Sequence, residues 1–284
     1  MRVLILGSDG MLGHILTNYL QKNSDFQIFN LSKKNINNNQ NHFICDINHK
    51  ESFLKICDKI RPDLIINCIG VLIKKSKSSS KDAIYINAYF PNFLDEISKK
   101  NEFKLIHIST DCVFSGKTGN YSETSIKDSS DIYGLTKSLG EINSSNHLTI
   151  RTSIIGPELK KNGEGLFNWF INQSGKTKGY TNAIWSGVTT LELSKAILFS
   201  ILNDITGIWN LSSEQPISKY DLLSKIKNQF NLHKIKLIKD DNLIINKSLI
   251  SNRKISYIVP SYDGMINELF NYVSDNKNIY DIDL

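Results

Sequence analysis

The sequence predicts an α/β fold, a doubly wound parallel sheet with helices on both faces. Short apolar runs rich in β-branched residues recur along the first half of the 284-residue chain. Runs of this length and near-continuous hydrophobicity are typical of buried parallel strands. Helical patterns lie between most of them, and this alternation is the mark of a doubly wound sheet. The predicted strands cover residues 3–6, 27–31, 42–47, 64–70, 104–110 and 148–153.

The composition limits the classes of function that the chain can have. Hydrophobic residues make up 40% and charged residues 22%, with a formal charge of +6, which is typical of a folded soluble protein. No block of like charge resembles a nucleic-acid-binding arm. The opening RVLILG is too short for a membrane span or a signal peptide, so we expect a cytoplasmic protein without a membrane partner. CxxC and HExxH spacings are lacking, and we expect no metal site built by the protein.

A glycine-rich turn follows the first predicted strand directly and opens a helix. It reads Gly7-Ser-Asp-Gly10-Met11-Leu12-Gly13. In such turns the first glycine permits a tight turn, the second lets a pyrophosphate approach the backbone, and the third packs helix against strand. The phosphates would lie on the positive N-terminus of the helix. The turn predicts a Rossmann-type dinucleotide site in which Gly7, Gly10, Met11, Leu12 and Gly13 contact the cofactor.

The end of the second strand indicates which nicotinamide cofactor the site prefers. An NAD site usually has a carboxylate there to hold the ribose 2′-hydroxyl. This chain has Asn30, Ser32 and Lys33 instead, in the stretch FNLSKK. Amide, hydroxyl and ammonium groups suit a 2′-phosphate better. We therefore expect NADPH, with NADH as the alternative.

Two further strand ends are expected to contact the cofactor. Asp46 and Ile47 suit an adenine contact, because a carboxylate accepts from the exocyclic amine while the aliphatic side chain packs on the ring. Asp46 has an alternative interpretation as the N-cap of the following helix. Cys68, Ile69 and Gly70 end the fourth strand, and ligands gather at the carboxyl ends of strands in open α/β sheets.

Two later motifs carry a resemblance to a known family. Ser109-Thr110-Asp111 ends the fifth predicted strand, and Tyr133-x-x-x-Lys137 opens a helix. With the glycine turn, they resemble the extended short-chain dehydrogenase/reductase superfamily. The longer signatures STDCVFSG, YGLTKSLGE and RTSIIG are most similar to its dTDP-4-dehydrorhamnose reductase branch. The resemblance covers roughly residues 1–215.

The resemblance implies reduction of the C4 ketone of a nucleotide-linked 4-keto-6-deoxy sugar. By position, Tyr133 is the general acid, Lys137 its partner and the holder of the nicotinamide ribose, and Thr110 the hydroxyl on the substrate oxygen. Ser109 falls beside the cofactor. A nearby ammonium favours phenolate, so we expect Lys137 to lower the pKa of Tyr133.

Four residues are candidates for substrate contacts. Asp111 and Val113 follow Thr110 in the family motif. Arg151 suits a substrate phosphate, with a structural role as the alternative, and Trp185, in a polar loop, suits a nucleobase.

The substrate itself is left open by a departure from the family pattern. The loop YTNAIWSGVTT has Val188 where the branch usually has proline. The segments GLFNWF and KGYTNAIWSG are similar to those of reductases acting on UDP-linked 2-acetamido-4-keto sugars in surface-polysaccharide pathways. The resemblance allows a homodimer. Some relatives bind a divalent ion at a dimer contact, but this sequence offers no acidic cluster that maps to it.

Two other functions compete with the ketoreductase. An epimerase or 4,6-dehydratase would keep the fold and recycle a bound NAD, but dehydration needs an added acid/base pair, and no glutamate follows Asp111. A non-catalytic cofactor-binding regulator typically lacks the tyrosine or the lysine, and this chain keeps both.

The chain is expected to divide into two regions. Residues 1–153 form the NAD(P)-binding Rossmann domain, to which residues 186–213 return with a late strand in GIWNLSS. Residues 154–284, in which the strand–helix rhythm breaks, form the smaller substrate-binding region.

Overall fold

The computed structural model describes residues 1–34, 41–160 and 163–280. Its strands are β1 (Arg2–Leu6), β2 (Gln27–Ser32), β3 (His42–Ile44), β4 (Leu64–Asn67), β5 (Lys104–Thr110), β6 (Leu148–Thr152), β7 (Ile154–Ile155), β8 (Gly175–Tyr180), β9 (Ala183–Trp185), β10 (Val188–Thr189), β11 (Gly207–Asn210), β12 (Ile217–Ser218), β13 (Ile235–Asp240) and β14 (Ile245–Asn246). Its α-helices are α1 (Gly13–Asn23), α2 (Lys50–Ile60), α3 (Ile73–Ser78), α4 (Ser80–Ala83), α5 (Phe90–Asn101), α6 (Ile132–Leu139), α7 (Leu166–Ile171), α8 (Thr190–Leu202), α9 (Lys219–Gln229) and α10 (Tyr262–Asp275).

The main sheet has the order β3-β2-β1-β4-β5-β6-β11, and every neighbouring pair is parallel. The predicted doubly wound parallel sheet is therefore confirmed. The strand order reverses direction between β1 and β4, and a crevice forms at the carboxyl ends of strands beside such a point. The glycine turn after β1 lies in this crevice.

Strand β1 shows why the sheet needs helices on both faces. Its side chains alternate, so Val3 and Ile5 join one apolar cluster while Leu4 and Leu6 join the other. All four are fully buried. Burying an aliphatic side chain of this size stabilises the fold by about 1.5–3 kcal/mol. Helices α1 and α8 supply side chains to the first cluster, and α2 and α5 supply them to the second.

The segment around Pro91 has a wide helical turn that positions a buried amide. A π-helical turn spans Ile84–Tyr89, and α5 starts at Phe90 with Pro91 in its first turn. The helix runs on without a break from α4 through this turn into α5, and the wider turn accommodates a proline inside it. The wide turn directs Asn87 to the backbone of Val71, with which it makes hydrogen bonds of 2.8 and 3.0 Å.

The later part of the chain covers the carboxyl end of β5. Three short strands form a sheet in the order β12-β9-β14, and residues after β14 bridge to the loop after β5 through Leu249 and Tyr121. Strand β11 returns to the main sheet beside β6, as the apolar run at 207–213 predicted. One apolar cluster contains residues from both regions, so the boundary at residue 153 stays a prediction. In the described ranges, no helix has the length and hydropathy needed to cross a membrane.

Candidate active site

Thr110, Tyr133 and Lys137 come together at the carboxyl end of β5. Thr110 is the last residue of that strand, and Tyr133 and Lys137 lie one turn apart on α6. The N-cap of α6 is Asp131, whose side chain accepts a 3.0 Å hydrogen bond from the Gly134 N–H and so fixes where the helix begins. The Thr110 side chain lies close enough to the Tyr133 phenol to act on its pKa. A substrate oxygen placed between them would meet two hydroxyl groups.

The amino group of Lys137 is buried beneath this pair. Its Nζ atom donates to the Ile108 carbonyl oxygen at 2.7 Å and lies 3.5 Å from His107 Nε2. Burial lowers the pKa of Lys137 to about 8, although the nearby Glu141 carboxylate favours the charged form. Lys137 is therefore close to its titration point near neutral pH.

The pKa of Tyr133 is raised, which corrects the expectation that Lys137 would lower it. Burial is the largest cause, and Cys112, Asp111 and Asp131 add to it, while Thr110 acts in the opposite direction. The Lys137 ammonium, which donates to the Ile108 carbonyl oxygen, does not outweigh the burial of the phenol. Tyr133 is thus protonated at neutral pH, the state that a general acid needs before it gives up its proton.

The glycine turn forms a cradle of the size and polarity that a pyrophosphate requires. Gly7 has φ +76°, and a Cβ on Gly13 would lie 2.2 Å from the Gly7 carbonyl oxygen, so neither position tolerates a side chain. The Ser8 hydroxyl is buried with no hydrogen-bond partner in the described residues. The backbone N–H groups of Met11 and Leu12 donate to no acceptor in the same ranges. These free donors precede α1 and fit a bound phosphate.

The end of β2 holds the residues predicted to select the cofactor. Ser32 Oγ contacts His42 Nε2 at 2.7 Å and donates to Asp9 Oδ2 at 2.6 Å. Asn30 accepts a hydrogen bond from Thr17 and is almost fully buried. A cavity of about 320 Å³ lies beside Ser8, Asp9, Asn30 and His42. The Asp9 carboxylate lies next to the predicted 2′-phosphate position, although Asp9 was not among the residues predicted from the sequence to contact the cofactor.

The structure contradicts the adenine contact predicted for Ile47, whereas that of Asp46 stays a prediction. Asp46 accepts from the Asn48 backbone N–H at 3.0 Å and pairs with Lys33 Nζ at 2.9 Å. Helix α2 begins four residues later with His49 as its N-cap, so the alternative N-cap role of Asp46 is wrong. The Ile47 side chain is 2% exposed and belongs to the apolar core, which leaves no free face for an adenine ring. An isolated apolar residue after a strand gives no signal of the direction in which it points.

The end of β4 lies against the glycine turn. A Cβ on Gly7 would lie 3.0 Å from the Ile69 side chain and 3.3 Å from the Cys68 carbonyl carbon. Gly70 follows at the same edge, with Asn87 as its neighbour. The Ser109 hydroxyl donates to Glu141 at 2.7 Å. The cofactor contacts of Cys68, Ile69, Gly70 and Ser109 stay predictions.

Arg151 and Val113 are structural, which corrects their predicted substrate contacts. Arg151 is 1% exposed, and its Nε and Nη2 atoms donate to the two oxygens of Glu141, each at 2.8 Å. This bidentate pair leaves Arg151 unable to reach a phosphate. Val113 is fully buried and packs with Phe114 and Tyr121. The alternative structural role for Arg151 is therefore the correct one.

Trp185 does not have the surroundings predicted for it. It lies in the central strand β9, is 3% exposed and packs against Tyr262, so it cannot stack a nucleobase. The Lys219 ammonium also lies over its ring, 4.6 Å from the ring centroid. A polar segment does not show which of its residues the core covers.

Two lysines from the later region face Asp111, and the sequence analysis did not single them out. Asp111 is buried, and burial raises the pKa of its carboxyl group, against the charges of Lys247 and Lys219. Burial also lowers the pKa of Lys219 to about 8. In the described ranges neither lysine has an ion-pair partner within 4 Å. The lysines are far apart in sequence, and only the β12-β9-β14 sheet brings them together.

In the ranges that the structure describes, no group of three or more His, Cys, Asp or Glu side chains could hold a metal ion. The site instead combines a phosphate cradle after β1 with hydroxyl and amino groups after β5. A parallel sheet carrying these two features defines the Rossmann-type fold of the extended short-chain dehydrogenases/reductases.

Comparison with known proteins places the chain within this class. A model of the family described as the RmlD substrate binding domain matches residues 1–244, and the chain belongs to that family. It is 30% identical over 142 residues to a dTDP-4-dehydrorhamnose reductase of Aggregatibacter actinomycetemcomitans, a match that covers 49% of this chain and 45% of that relative. The chain therefore matches less than half the length of this curated relative.

Solved structures share the fold over nearly the whole chain. A hypothetical dTDP-4-dehydrorhamnose reductase from Sulfolobus tokodaii is 27% identical, with a TM-score of 0.76 and coverage of 93% of this chain and 99% of its own. A dTDP-4-dehydrorhamnose reductase from Bacillus anthracis, solved in complex with NADP, is 22% identical with a TM-score of 0.80, covering 95% and 99%. At 22% identity, the likeness to the Bacillus anthracis structure shows only that the fold is shared.

Proposed function

We propose that the chain is an NADPH-dependent reductase of the C4 ketone of a nucleotide-linked 4-keto-6-deoxy sugar. The observation that carries the proposal is the meeting of Thr110, Tyr133 and Lys137 beside the phosphate cradle. The relatives named dTDP-4-dehydrorhamnose reductase support this substrate class. We propose that the product enters deoxysugar or surface-polysaccharide biosynthesis and that the reaction takes place in the cytoplasm.

The residues of the site divide the chemistry between them. A bound reduced nicotinamide supplies a hydride to the ketone carbon, and negative charge then develops on the ketone oxygen. The Tyr133 phenol, protonated at neutral pH, gives its proton to that oxygen. The Thr110 hydroxyl now donates to Asp111 Oδ1 at 3.1 Å and needs only a rotation to donate to the substrate oxygen. Lys137 holds the ribose and carries the positive charge that offsets the phenolate left behind.

The choice of NADPH follows from the balance of charge at the end of β2. The Lys33 side chain is half exposed and, within the described ranges, forms an ion pair only with Asp46, a partner it can exchange for a 2′-phosphate. Ser32 and His42 offer further polar groups. The Asp9 carboxylate acts against these polar and basic groups, because it would repel a phosphate. We propose that the basic groups prevail, and the NADP complex of the Bacillus anthracis relative supports the choice.

A bound-NAD epimerase or dehydratase is less well supported by the site. Asp111 is the one acid next to Thr110, and its hydrogen bond with that hydroxyl ties it to the ketone-binding group. Purified protein that carries NAD and does not oxidise free NADPH would favour this second function.

We also propose that the protein is a homodimer, and light scattering tests this.

The test is a direct assay with defined sugars. The purified protein is incubated with NADPH and, in separate reactions, with dTDP-4-keto-6-deoxyglucose, dTDP-4-dehydrorhamnose and a UDP-linked 2-acetamido-4-keto sugar. The loss of reduced-nicotinamide absorbance is followed against a reaction without sugar. Oxidation with at least one sugar is expected, and the preferred one identifies the nucleotide. No oxidation with any of them would overturn the proposal.

A further inference from the structure

A histidine beneath the proposed active site contacts the catalytic lysine. His107 lies in β5 and is fully buried, three residues before Thr110. The register of the sheet sets it directly opposite Asn67 of β4. Its Nδ1 atom is 3.2 Å from Asn67 Nδ2, and its Nε2 atom is 3.5 Å from Lys137 Nζ. The three side chains therefore form a continuous polar row in the buried part of the sheet.

The hydrogen bonds of Asn67 determine which nitrogen of His107 carries the proton. The Asn67 side-chain oxygen accepts from the Ile69 backbone N–H at 3.1 Å, so the amide NH₂ group is the part that faces His107. An NH₂ group only donates, and Nδ1 must therefore accept. A neutral imidazole has a single N–H, which is then on Nε2. Burial, and secondarily the charge of Lys137, lower the pKa of His107 well below its ordinary value and keep it neutral.

The Nε2–H group consequently points toward the Lys137 amino group. An ammonium facing an N–H dipole is disfavoured, whereas a neutral amine offers a lone pair to it. The other groups that face Lys137 act in the opposite direction: the Glu141 carboxylate just after α6 and the Cys68 side chain after β4 both favour the ammonium. The remaining contact, with the Ile108 carbonyl, fixes where the nitrogen sits. The charge of Lys137 is thus set by a balance in which His107 opposes Glu141.

We propose that His107 is a positioning residue for Lys137, held by Asn67 as the Nε2–H tautomer, and that it sets the pH at which the catalytic lysine loses its charge. The inference rests on the proposed ketoreductase function, because it assigns a partner to the lysine of that same site. It explains why a polar row occupies the centre of the sheet, where an aliphatic residue would pack without unsatisfied groups.

The first test reads the tautomer without relying on activity. Uniformly ¹⁵N-labelled protein is compared with the His107→Gln variant, and the imidazole signals lost in the variant are assigned to His107. Protonation of Nε2 and a bare Nδ1 are expected throughout the neutral pH range. A proton on Nδ1, or a charged ring, would overturn the proposal.

The second test reads the pH profile of ketone reduction. The wild type is expected to lose kcat above about pH 8, where Lys137 deprotonates. His107→Leu removes the opposing dipole, and the fall should move up by ~0.5–1 pH unit, the size of one hydrogen bond. His107→Gln keeps an amide N–H near the lysine and should restore much of the wild-type profile. Superimposable profiles for wild type and His107→Leu would sink the idea.

The two tests separate this inference from the proposed function. A wild-type protein inactive on every sugar would remove the ketoreductase assignment, while the NMR signals would still decide the tautomer. An active wild type whose profile ignores His107 would leave the function standing and overturn the inference alone. Far-ultraviolet circular dichroism checks that each variant is folded.

Discussion

The Thr110 hydroxyl lies beside the Tyr133 phenol, across the gap between the end of β5 and the first turn of α6, and acts against the rise in the pKa of that phenol. Thr110 and Tyr133 belong to two separate sequence motifs. Their proximity therefore depends on the register of β5 and on the Asp131 cap that fixes the start of α6. Two hydroxyl groups aimed at one place can bind a carbonyl oxygen as its charge develops. The predictions below start from this arrangement.

Loss of the Thr110 hydroxyl should slow the reaction more than it weakens binding. Thr110→Val removes a hydrogen bond that strengthens as the oxygen becomes charged, and we expect kcat to fall ~10²-fold. Thr152→Val is the matched control, because Thr152 lies opposite Thr110 on β6 and contacts Ser153 rather than Tyr133. Steady-state kinetics of both variants check this. Equal losses in the two would show that the hydroxyl is structural.

The reaction should fail on the alkaline side of about pH 8. Lys137 has a lowered pKa, so it is charged below that value and neutral above it, and activity falls as pH rises through it. The pKa of Tyr133 is raised, so the phenol stays protonated over this range. Lys219 also titrates near pH 8 and could cause the same fall. The control is therefore Lys219→Met, whose kcat profile should keep its alkaline limb, and disappearance of that limb would reassign it to Lys219.

Lys219 and Lys247 should contribute to substrate binding. They are cations without an ion-pair partner in the described ranges, and they face the Asp111 side of the site, whereas a nucleotide sugar is an anion. We expect each change to methionine to raise the KM for the sugar ~10-fold, as for a charge-assisted hydrogen bond, with little change in kcat. Lys239→Met is the control, because Lys239 lies over the Tyr220 ring instead. An unchanged KM in both variants would restrict these lysines to offsetting the charge of Asp111.

Asp9 should limit the affinity for the phosphorylated cofactor. Its carboxylate contacts Ser32 beside the predicted 2′-phosphate position. Asp9→Asn removes the repulsion, and we expect kcat/KM for NADPH to rise ~3–10-fold relative to NADH, a modest Coulomb term at a partly exposed site. Lys33→Met should shift the ratio in the opposite direction. Parallel kinetics with both cofactors measure the ratio, and a strong NADH preference in the wild type would contradict the NADPH assignment.

The Arg151–Glu141 pair should hold the site together rather than bind substrate. Both side chains are 1% exposed and joined by two 2.8 Å hydrogen bonds. Arg151→Met removes the bidentate partner of a buried carboxylate and leaves Lys127 as its ion-pair partner. Removing one partner of a buried pair typically costs about 3–5 kcal/mol of unfolding free energy. Lys104→Met breaks an exposed pair with Asp204 and should cost about 0–1 kcal/mol. Urea denaturation compares them, and a large rise in the KM of Arg151→Met at unchanged stability would restore its substrate role.

Patterns local in sequence predicted the parts of the molecule that are local in structure. The β1 run and the spacing of Gly7 and Gly13 are enough to place a strand, a tight turn and a helix, because sterics allow little else. The four-residue spacing of Tyr133 and Lys137 likewise sets both on one helical face. These features depend on backbone geometry within a few residues.

Errors arose where a partner distant in sequence decides the role of a side chain. Arg151 looked like a phosphate ligand because its partner, Glu141, lies in another motif. Trp185 looked exposed because nothing in its polar segment reveals that strands pair on both sides of it. The raised pKa of Tyr133 depends on burial, and the direction of the Lys137 ammonium depends on the Ile108 carbonyl. Such balances exist only after the chain has folded.

The most direct test of the central claim is NADPH oxidation by the wild type and by Tyr133→Phe with the preferred 4-keto-6-deoxy nucleotide sugar. The variant keeps the ring and loses only the acidic proton, so cofactor binding, followed by nicotinamide fluorescence, should be unchanged. We expect kcat to fall ~10²–10⁴-fold, the usual contribution of a general acid. Equal turnover by wild type and variant would contradict the assignment of Tyr133 as the proton donor.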